Sequence, residues 1–222
     1  IGVFFTLSLT YFSPVLEGKR LIQGDIRNFT GASRDIVEHR DAYGEEPLWT
    51  ESMFSGMPAY QISVQWGNVV LTWLNKLFTG FLPMPAGFIF LYLIGMYILL
   101  MCLRVDPWLA VVGAAAYAFS SYFIVILEAG HNSKSMAIGY MPMVFGALYL
   151  LLRGNKLIGA ALFALFLTLL IYVNHVQVAY YLGMLMVLFG LAEGWKALGE
   201  KRMKDFRSEE HTSELQSPMY LV

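Results

Sequence analysis

Three short stretches of this apolar chain carry polar and ionisable side chains whose types could support chemistry. The first lies around Asp25, the second is Glu128-Ala-Gly-His-Asn-Ser-Lys134, and the third is Asn174-His-Val-Gln177. A carboxylate can accept a proton from a hydroxyl group, while Arg, Lys and His can hold a phosphate through charged hydrogen bonds. These stretches therefore indicate acid/base chemistry on a phosphate-bearing substrate. The candidate residues are Asp25, Arg27, Glu128, His131, Asn132, Lys134, Asn174, His175 and Gln177.

The composition is that of an integral membrane protein. Of the 222 residues, 57% are hydrophobic and 14% are charged, and the mean hydropathy is +0.56. A soluble domain carries about 25% charged residues. The net charge of -1 argues against nucleic acid as a partner, because a nucleic-acid binder shows a basic face or tail. Cys102 is the sole cysteine, which excludes an internal disulfide and a structural metal site built from cysteines.

The motifs of several enzyme classes are absent from the sequence. It has no phosphate-binding Gly-rich loop, no His-Glu-x-x-His zinc motif and no Gly-x-Ser-x-Gly nucleophile elbow. No nucleotide cofactor is therefore expected.

Five apolar stretches are long enough to cross a bilayer as helices. A hydrocarbon core about 30 Å thick requires about 17 to 25 mostly apolar residues, and lipid offers no partner for backbone groups outside a helix. Residues 1–12 are interpreted as the end of a truncated first membrane helix. Together these segments predict an all-α, polytopic helix bundle with about six transmembrane helices. The five stretches are 84–103, 107–127, 136–152, 157–173 and 176–192.

The distribution of basic residues predicts the orientation in the membrane. Connectors 104–106, 153–156 and 195–204 are rich in Lys and Arg, whereas 128–135 and 174–175 contain only Lys134. The positive-inside rule then assigns the basic connectors to the cytoplasm.

This orientation predicts the domain organisation. Residues 13–83 form a long first extracytoplasmic loop, residues 84–192 form transmembrane helices 2 to 6, and residues 193–206 form a cytoplasmic connector. All three polar stretches then face outward and can converge on one cavity in the outer leaflet. Ionisable groups in a membrane are functional candidates because their burial is costly.

The extracytoplasmic loop contains two further predicted helices. Residues 33–39 predict a short polar helix, and residues 69–82, with apolar side chains at helical spacing, predict a helix along the membrane interface. Large apolar side chains between them are interpreted as packing and interface anchors rather than as sugar-stacking residues. They are Trp49, Met53, Phe54, Met57 and Tyr60.

A structural interpretation of the polar residues stays open. Glu128, His131 and Lys134 can be solvated helix ends, and the Asn174-His175 pair can simply interrupt or cap a helix. Asp25 follows Gly24 and can be a turn or N-cap aspartate.

Several motifs of the loop resemble the opening of the YfhO-type family of bacterial membrane proteins. They are Tyr11-Phe-Ser-Pro-Val-Leu-Glu-Gly-Lys19, Gln23-Gly-Asp25, Pro47-Leu-Trp-Thr50 and Phe54-Ser-Gly-Met-Pro58. The resemblance covers residues 1 to about 206 and implies the amino-terminal part of a longer protein. It implies the GT-C fold, whose members take a sugar from a polyprenyl-phosphate carrier outside the bacterial cytoplasmic membrane. Asp25 occupies the position of the acidic catalytic residue of that fold.

The resemblance implies an inverting transfer with Asp25 as the base. The leaving polyprenyl phosphate requires cationic or hydrogen-bonding neighbours, for which Lys134, His131 and Arg27 are available. A divalent metal held by Asp25, Glu128 and His131 can serve the same purpose. The sequence does not decide between these alternatives.

Three functions are compatible with these features of the sequence. The first is transfer of a sugar from a polyprenyl-phosphate carrier to an envelope glycan, polymer or protein. The second is a transporter or flippase of lipid-linked or polar solutes, and the third is a non-catalytic factor for envelope assembly. In each case the lipid bilayer is a partner.

The carboxy-terminal residues 207–222 have a different character. They resemble the translation of a common sequencing-library adapter, and the alternative is a genuine polar tail. No function is expected for His211 or for the carboxylates of this segment.

Overall fold

The computed structural model describes residues 1–63 and 68–199. Within them the fold consists of α-helices, two short 3₁₀ turns and one antiparallel pair of two-residue strands, β1 (Trp49–Thr50) and β2 (Met57–Pro58). The all-α prediction agrees with this architecture. The helices are α1 (Gly2–Tyr11), α2 (Gly24–Ala32), α3 (Arg34–Tyr43), α4 (Val69–Phe78), α5 (Ala86–Cys102), α6 (Pro107–Ala118), α7 (Ser121–Ala129), α8 (Asn132–Arg153), α9 (Lys156–Tyr172) and α10 (Val176–Gly199).

The chain divides into two compact units, Ile1–Tyr180 and Tyr181–Val222. The first contains α1 to α9 and the start of α10, and the described part of the second is the remainder of α10. The predicted cytoplasmic connector falls within α10 up to Gly199, and its residues 200–206 lie outside the described residues. The predicted adapter-like tail, 207–222, also lies outside them.

The apolar helices support a membrane protein. Among the described residues, α8 and α10 are each long and apolar enough to cross a membrane, and α6 with α7 qualify as a pair bent by 46°. Helices α1, α4, α5 and α9 are apolar but shorter. The six-span topology therefore stays a prediction.

The predicted span 107–127 is interrupted, which the apolar pattern did not indicate. Helix α6 ends at Ala118 and α7 begins at Ser121, with Ser120 at φ -58° and ψ 133° in the N-cap position. Serine disfavours helix interiors because its hydroxyl competes for backbone groups. The run contains neither Pro nor Gly between residues 114 and 129, so the break had no strong marker.

Three helices begin at side-chain caps that the sequence specifies. Asp106, which directly precedes Pro107, accepts hydrogen bonds from the backbone amides of Trp108 and Leu109. Asn68 and Asn155 cap α4 and α9 in the same way. These caps fix the start of each helix because they satisfy amides that lack an intrahelical partner.

Helices α5 and α8 pack so closely that small residues are required between them. A Cβ atom added at Gly95 would lie 2.3 Å from the Gly139 carbonyl oxygen, and one added at Gly139 would lie 2.5 Å from Leu91 Cγ. Further along α8, a Cβ added at Gly146 would lie 3.1 Å from Leu99 Cα. Such close approach of small residues is the usual basis of helix association in membranes.

Pro142 lies inside α8 without leaving an unsatisfied carbonyl. Proline has no N–H for the carbonyl of Ile138, four residues earlier. The Tyr117 hydroxyl of α6 donates to that oxygen at 3.0 Å. The sequence thus replaces a lost backbone bond with an interhelical one, as apolar surroundings require.

The polar helix predicted over residues 33–39 is observed as α3. It is held to β1 by Thr50, whose hydroxyl donates to the Asp35 carboxylate, and to the segment before β1 by two hydrogen bonds from Arg40 to Glu46 at 2.7 and 2.8 Å. The bond from Thr50 keeps the pKa of Asp35 below its usual value. These contacts hold α3, which directly follows α2, against the segment that leads into β1.

Helix α4 packs on the bundle through both polar and apolar side chains. The Tyr140 hydroxyl donates to Asn75 Oδ1 at 2.7 Å, Thr72 Oγ1 lies 2.9 Å from the Tyr172 hydroxyl, and the Phe78 ring packs against the ring of Tyr140. Its exposed side is mainly apolar, with Val70 and Trp73 as members, and also carries Lys76, whose ammonium lies 5.4 Å from the centre of the Trp73 ring. Since Tyr140 lies about 12 Å along α8 from the start of that helix, the contact is well inside the bundle. An exposed apolar surface of this kind is typical of one that a membrane or a partner covers.

We expect a fluorescent label on α4 to report hydrocarbon rather than water. A nitrobenzoxadiazole group at Val70→Cys, in a Cys102→Ala background, should be quenched several-fold more by lipids that carry a nitroxide on the acyl chain than by aqueous iodide. The matched control is Glu38→Cys on α3, which is exposed and should show the reverse order. Equal iodide quenching at both positions would show that α4 lies in water.

Candidate functional site

Asp25 and His131 form the centre of the candidate site. Asp25 lies in the first turn of α2, and His131 directly precedes α8. The His131 Nε2 and Asp25 Oδ2 atoms are 3.3 Å apart, and about half of each side chain is exposed, 51% and 48%. Two of the three polar stretches, which are far apart in the sequence, therefore meet in the fold.

Gln23 joins α2 to the junction of α7 and α8. Its amide nitrogen donates to the Leu127 carbonyl at 2.7 Å and to Asn132 Oδ1 at 2.9 Å. The Asn132 amide donates back to Gln23 Oε1 at 3.3 Å. Gln23 satisfies one of the last carbonyls of α7, which have no partner inside the helix. The position of Asp25, two residues later, follows from this contact.

Gly130 makes the close approach of α2 possible. Its φ is +103°, a conformation that residues with a side chain rarely adopt. A Cβ atom there would lie 3.0 Å from Gln23 Cβ and 3.3 Å from Ile26 Cγ1. Glycine at this helix end therefore allows both the turn and the contact with α2.

Gln23 and Gly130 were not among the predicted site residues. Gln23 belongs to the quoted Gln23-Gly-Asp25 motif, and Gly130 lies inside the second polar stretch. Their positions within these two stretches could have indicated a role at the site, but neither residue type can act as an acid or base. Their role is to position Asp25 and His131.

The third polar stretch lies within electrostatic reach of the second. His175 is half-buried, and its Nε2 atom is buried without a hydrogen-bond partner in the described part of the chain. Burial lowers the pKa of His175, and the charges of Lys134 and His131 lower it further. Asn174, at φ +54°, donates to the Tyr60 carbonyl at 3.4 Å, so this amide is engaged by the short 3₁₀ turn Ala59–Gln61.

Lys134 lies three residues after His131, in the first turn of α8, and contacts an aromatic ring. Its ammonium lies 5.3 Å from the centre of the Tyr122 ring, a cation–π contact. The side chain is neither fully buried nor fully exposed.

The remaining predicted residues lie at the periphery. Arg27 is exposed on α2, Glu128 is exposed near the end of α7, and Gln177 is exposed in the first turn of α10. In the residues that the structure describes, neither Arg27 nor Glu128 forms an ion pair with the Asp25–His131 centre. For Glu128 the solvated helix end is therefore the simpler description.

The geometry does not assemble the predicted metal ligands. Across residues 1–63 and 68–199, no group of three or more His, Cys, Asp and Glu side chains could hold a metal ion. Asp25 and His131 are adjacent, but Glu128 does not complete a triad with them. We therefore derive no step through a metal.

The alternative interpretation of Asp25 as an N-cap is wrong. The cap residue of α2 is Gln23, and its side chain makes no capping hydrogen bond. Asp25 lies inside the first turn of the helix, where a negative charge interacts favourably with the helix dipole by about 0.3–1 kcal/mol. This contribution is compatible with a second role in acid/base chemistry.

We expect His175 to make the stability of the protein depend on pH. Its folded-state pKa lies below the ordinary value of about 6.5, so the unfolded chain binds more protons as the pH falls below neutrality. The stabilisation is therefore complete above pH 6.5 and is lost as the pH falls through the folded pKa. The melting midpoint in detergent, measured from pH 8 to pH 5, should fall less steeply for His175→Gln than for the wild type.

The matched control for this measurement is His39→Gln, which removes an exposed histidine of α3. If His175→Gln shows the wild-type slope, the pH dependence arises from other groups.

Comparison of the chain with protein-family models, with curated proteins and with solved structures finds no match.

Proposed function

We propose that this protein is a membrane glycosyltransferase of the GT-C type. It moves a sugar from a polyprenyl-phosphate carrier to an envelope acceptor on the extracytoplasmic side of the bacterial cytoplasmic membrane. The proposal depends on one observation above all: the outer-segment carboxylate of Asp25 is held 3.3 Å from the His131 imidazole where α7 meets α8. The resemblance of the outer-segment motifs to the YfhO-type family supports the same function.

Asp25 is the group that we assign to proton transfer. Oδ2 lies 3.3 Å from His131 Nε2; a hydrogen bond donated by that nitrogen would hold the carboxylate in place and leave Oδ1 to accept a proton. An acceptor hydroxyl would lose its proton to Asp25 as its oxygen attacks the anomeric carbon of the donor sugar. The bond from that carbon to the phosphate oxygen breaks, and its electron pair stays with the polyprenyl phosphate. The configuration at the anomeric carbon is inverted.

The departing phosphate develops negative charge that the protein must stabilise. His131 directly precedes α8, and Lys134 lies in the first turn of that helix. The ammonium of Lys134 is the positive charge that this end of α8 offers to the phosphate. Arg27 is exposed on α2, so it supports phosphate binding less directly.

The test is transfer of labelled sugar by membranes that contain the protein. Polyprenyl-phosphate sugars labelled in the sugar are added, and the label is followed into lipid-free product. We expect transfer with wild-type membranes and none with membranes that lack the protein. A label that crosses the bilayer still attached to its lipid would instead indicate a transporter or flippase, and no change in either readout would favour an assembly factor.

A further inference from the structure

We propose that a cavity beside Lys19 and Arg20 binds the phosphate of a membrane lipid, with the lipid chain along the apolar wall. The cavity has a volume of about 500 Å³ and lies between the segment that links α1 to α2 and the start of α5. The inference deepens the proposed function, because it names residues that would hold the phosphate of the carrier lipid in the bound state, in addition to His131 and Lys134, which act on the phosphate as it departs. Only that connection rests on the proposed function, since lipid binding does not require transfer.

The lining of the cavity is divided into a cationic part and an apolar part. Lys19, Arg20 and Gln23 are the lining residues with polar side chains, and Leu21, Met84 and Phe88 are among the apolar ones. Within the described parts of the chain, no carboxylate belongs to the lining. Two cations beside an apolar wall match an anionic head group attached to a hydrocarbon chain.

The ion pair that Lys19 forms can be exchanged for a phosphate. Its ammonium lies 2.5 Å from Glu17 Oε2, with the two side chains 68% and 65% exposed. Exposed pairs of this kind contribute little free energy because water screens them. A phosphate carries more charge and several acceptor oxygens, and Arg can bind it with two parallel hydrogen bonds.

The surroundings of the cavity favour a lipid over a phosphate from solution. Leu16 and Ile22, which lie on either side of the two cations in the chain, are 66% and 74% exposed. Phe88 in the lining belongs to the apolar helix α5. Exposed apolar side chains next to two cations in the chain are typical of a membrane interface, where lipid phosphates are found.

Gln23 links this cavity to the candidate site. It lines the cavity and at the same time binds Leu127 and Asn132. Asp25 follows it by two residues at the start of α2. A phosphate held by Lys19 and Arg20 would therefore lie beside the residue that positions Asp25.

The experiment compares binding of three compounds to the protein in nanodiscs: a polyprenyl phosphate, the corresponding polyprenol and inorganic phosphate. We expect the polyprenyl phosphate to bind at least about tenfold more tightly than either of the others, because only it offers both a phosphate for the cations and a chain for the apolar wall. The double variant Lys19→Gln/Arg20→Gln should lose a similar factor in affinity for the polyprenyl phosphate and keep its affinity for the polyprenol. The charge-matched control, Arg34→Gln/Lys76→Gln, should bind like the wild type.

Several results would overturn the inference. Equal binding of polyprenol and polyprenyl phosphate would exclude phosphate recognition, and equal binding of inorganic phosphate would indicate a site for the free ion. Unchanged affinity in the Lys19→Gln/Arg20→Gln variant would exclude these two residues.

A measurement on the wild-type protein covers the case in which the double variant does not fold. A polyprenyl phosphate with a photoreactive group on its first isoprene unit should label peptides that contain residues 15–23 or 83–88. Labelling confined to other peptides would overturn the inference. If no transfer is found but this labelling is, the lipid site stands and the glycosyltransferase proposal fails; if transfer is found but this labelling is not, the lipid site fails alone.

Discussion

Replacing Asp25 with asparagine should reduce sugar transfer by a factor of about 10² to 10⁴, the range expected when a general base is removed. The amide keeps the size and shape of the side chain, but it cannot accept the proton of the acceptor hydroxyl. The loss should appear in kcat, because the amide of the variant could still contribute hydrogen bonds to substrate binding. Transfer of label from a polyprenyl-phosphate sugar into lipid-free product is the measurement, at matched protein levels in the membrane.

Asp41→Asn is the matched control for this substitution. Asp41 is an exposed carboxylate on α3 and should be dispensable for transfer. Full activity of Asp25→Asn would remove the base from the mechanism, whereas equal losses in both variants would indicate a general effect of charge on the outer segment.

Thermal stability separates a catalytic from a structural role of Asp25. About half of the Asp25 and His131 side chains is exposed, and exposed ion pairs contribute at most about 1 kcal/mol. The helix-dipole contribution of a first-turn carboxylate is of similar size. The melting midpoint should therefore change little in Asp25→Asn, even though transfer is nearly lost. A large fall in the midpoint would show that Asp25 mainly stabilises the junction of α2 with α7 and α8.

The apolar helices could be predicted well because long apolar runs have few alternatives in a membrane. The runs 84–103 and 157–173 correspond closely to α5 (Ala86–Cys102) and α9 (Lys156–Tyr172). The break between α6 and α7 was missed because a single Ser120 is a weak marker of a helix end. The hydrogen bond by which the Tyr117 hydroxyl replaces the N–H that Pro142 lacks could not be predicted either, because the two helices meet only in the folded chain.

The candidate site was predicted in part, and the missing part is informative. Grouping polar residues by the side of the membrane placed Asp25 and His131 in one cluster, and the fold brings these two side chains together. The same rule could not identify Gln23, whose importance depends on a hydrogen bond to a carbonyl far away in the sequence. Nor could it distinguish Lys19 and Arg20, which line a cavity, from basic residues that are simply solvated.

For α4 the periodicity predicted the helix but not which face meets the bundle. Apolar residues at helical spacing fit a helix whose apolar face packs inward as well as one whose apolar face meets lipid. The face that meets the bundle is the one with Asn75 and Thr72, because each forms a hydrogen bond with a tyrosine of α8 or α9. Such partners are known only once α8 and α9 are in place.

The second large effect is expected from Gly95→Ala, which should disrupt the packing of α5 against α8. The added Cβ would lie 2.3 Å from the Gly139 carbonyl oxygen, well inside the contact distance of carbon and oxygen. That oxygen belongs to a helical backbone, so it cannot rotate away as a side chain can. Overpacking costs about 1–3 kcal/mol where side chains can yield, and a backbone contact places this substitution at about 3 kcal/mol. The melting midpoint should fall by about 6 to 12 °C for a protein of this size.

Cys102 provides the measurement of this effect within the wild-type sequence. It is the sole cysteine, it is buried, and its Sγ lies 3.3 Å from where a Cβ of Gly146 would be. A thiol-reactive fluorogenic dye should therefore react with Cys102 only when α5 separates from α8, which makes the midpoint of labelling report that interface. The matched control is Gly183→Ala on α10, where an added Cβ meets nothing within 4 Å. If Gly95→Ala unfolds at the same temperature as Gly183→Ala, helices α5 and α8 can separate enough to admit a methyl group, and the close approach of Gly95 to Gly139 is not what holds them together.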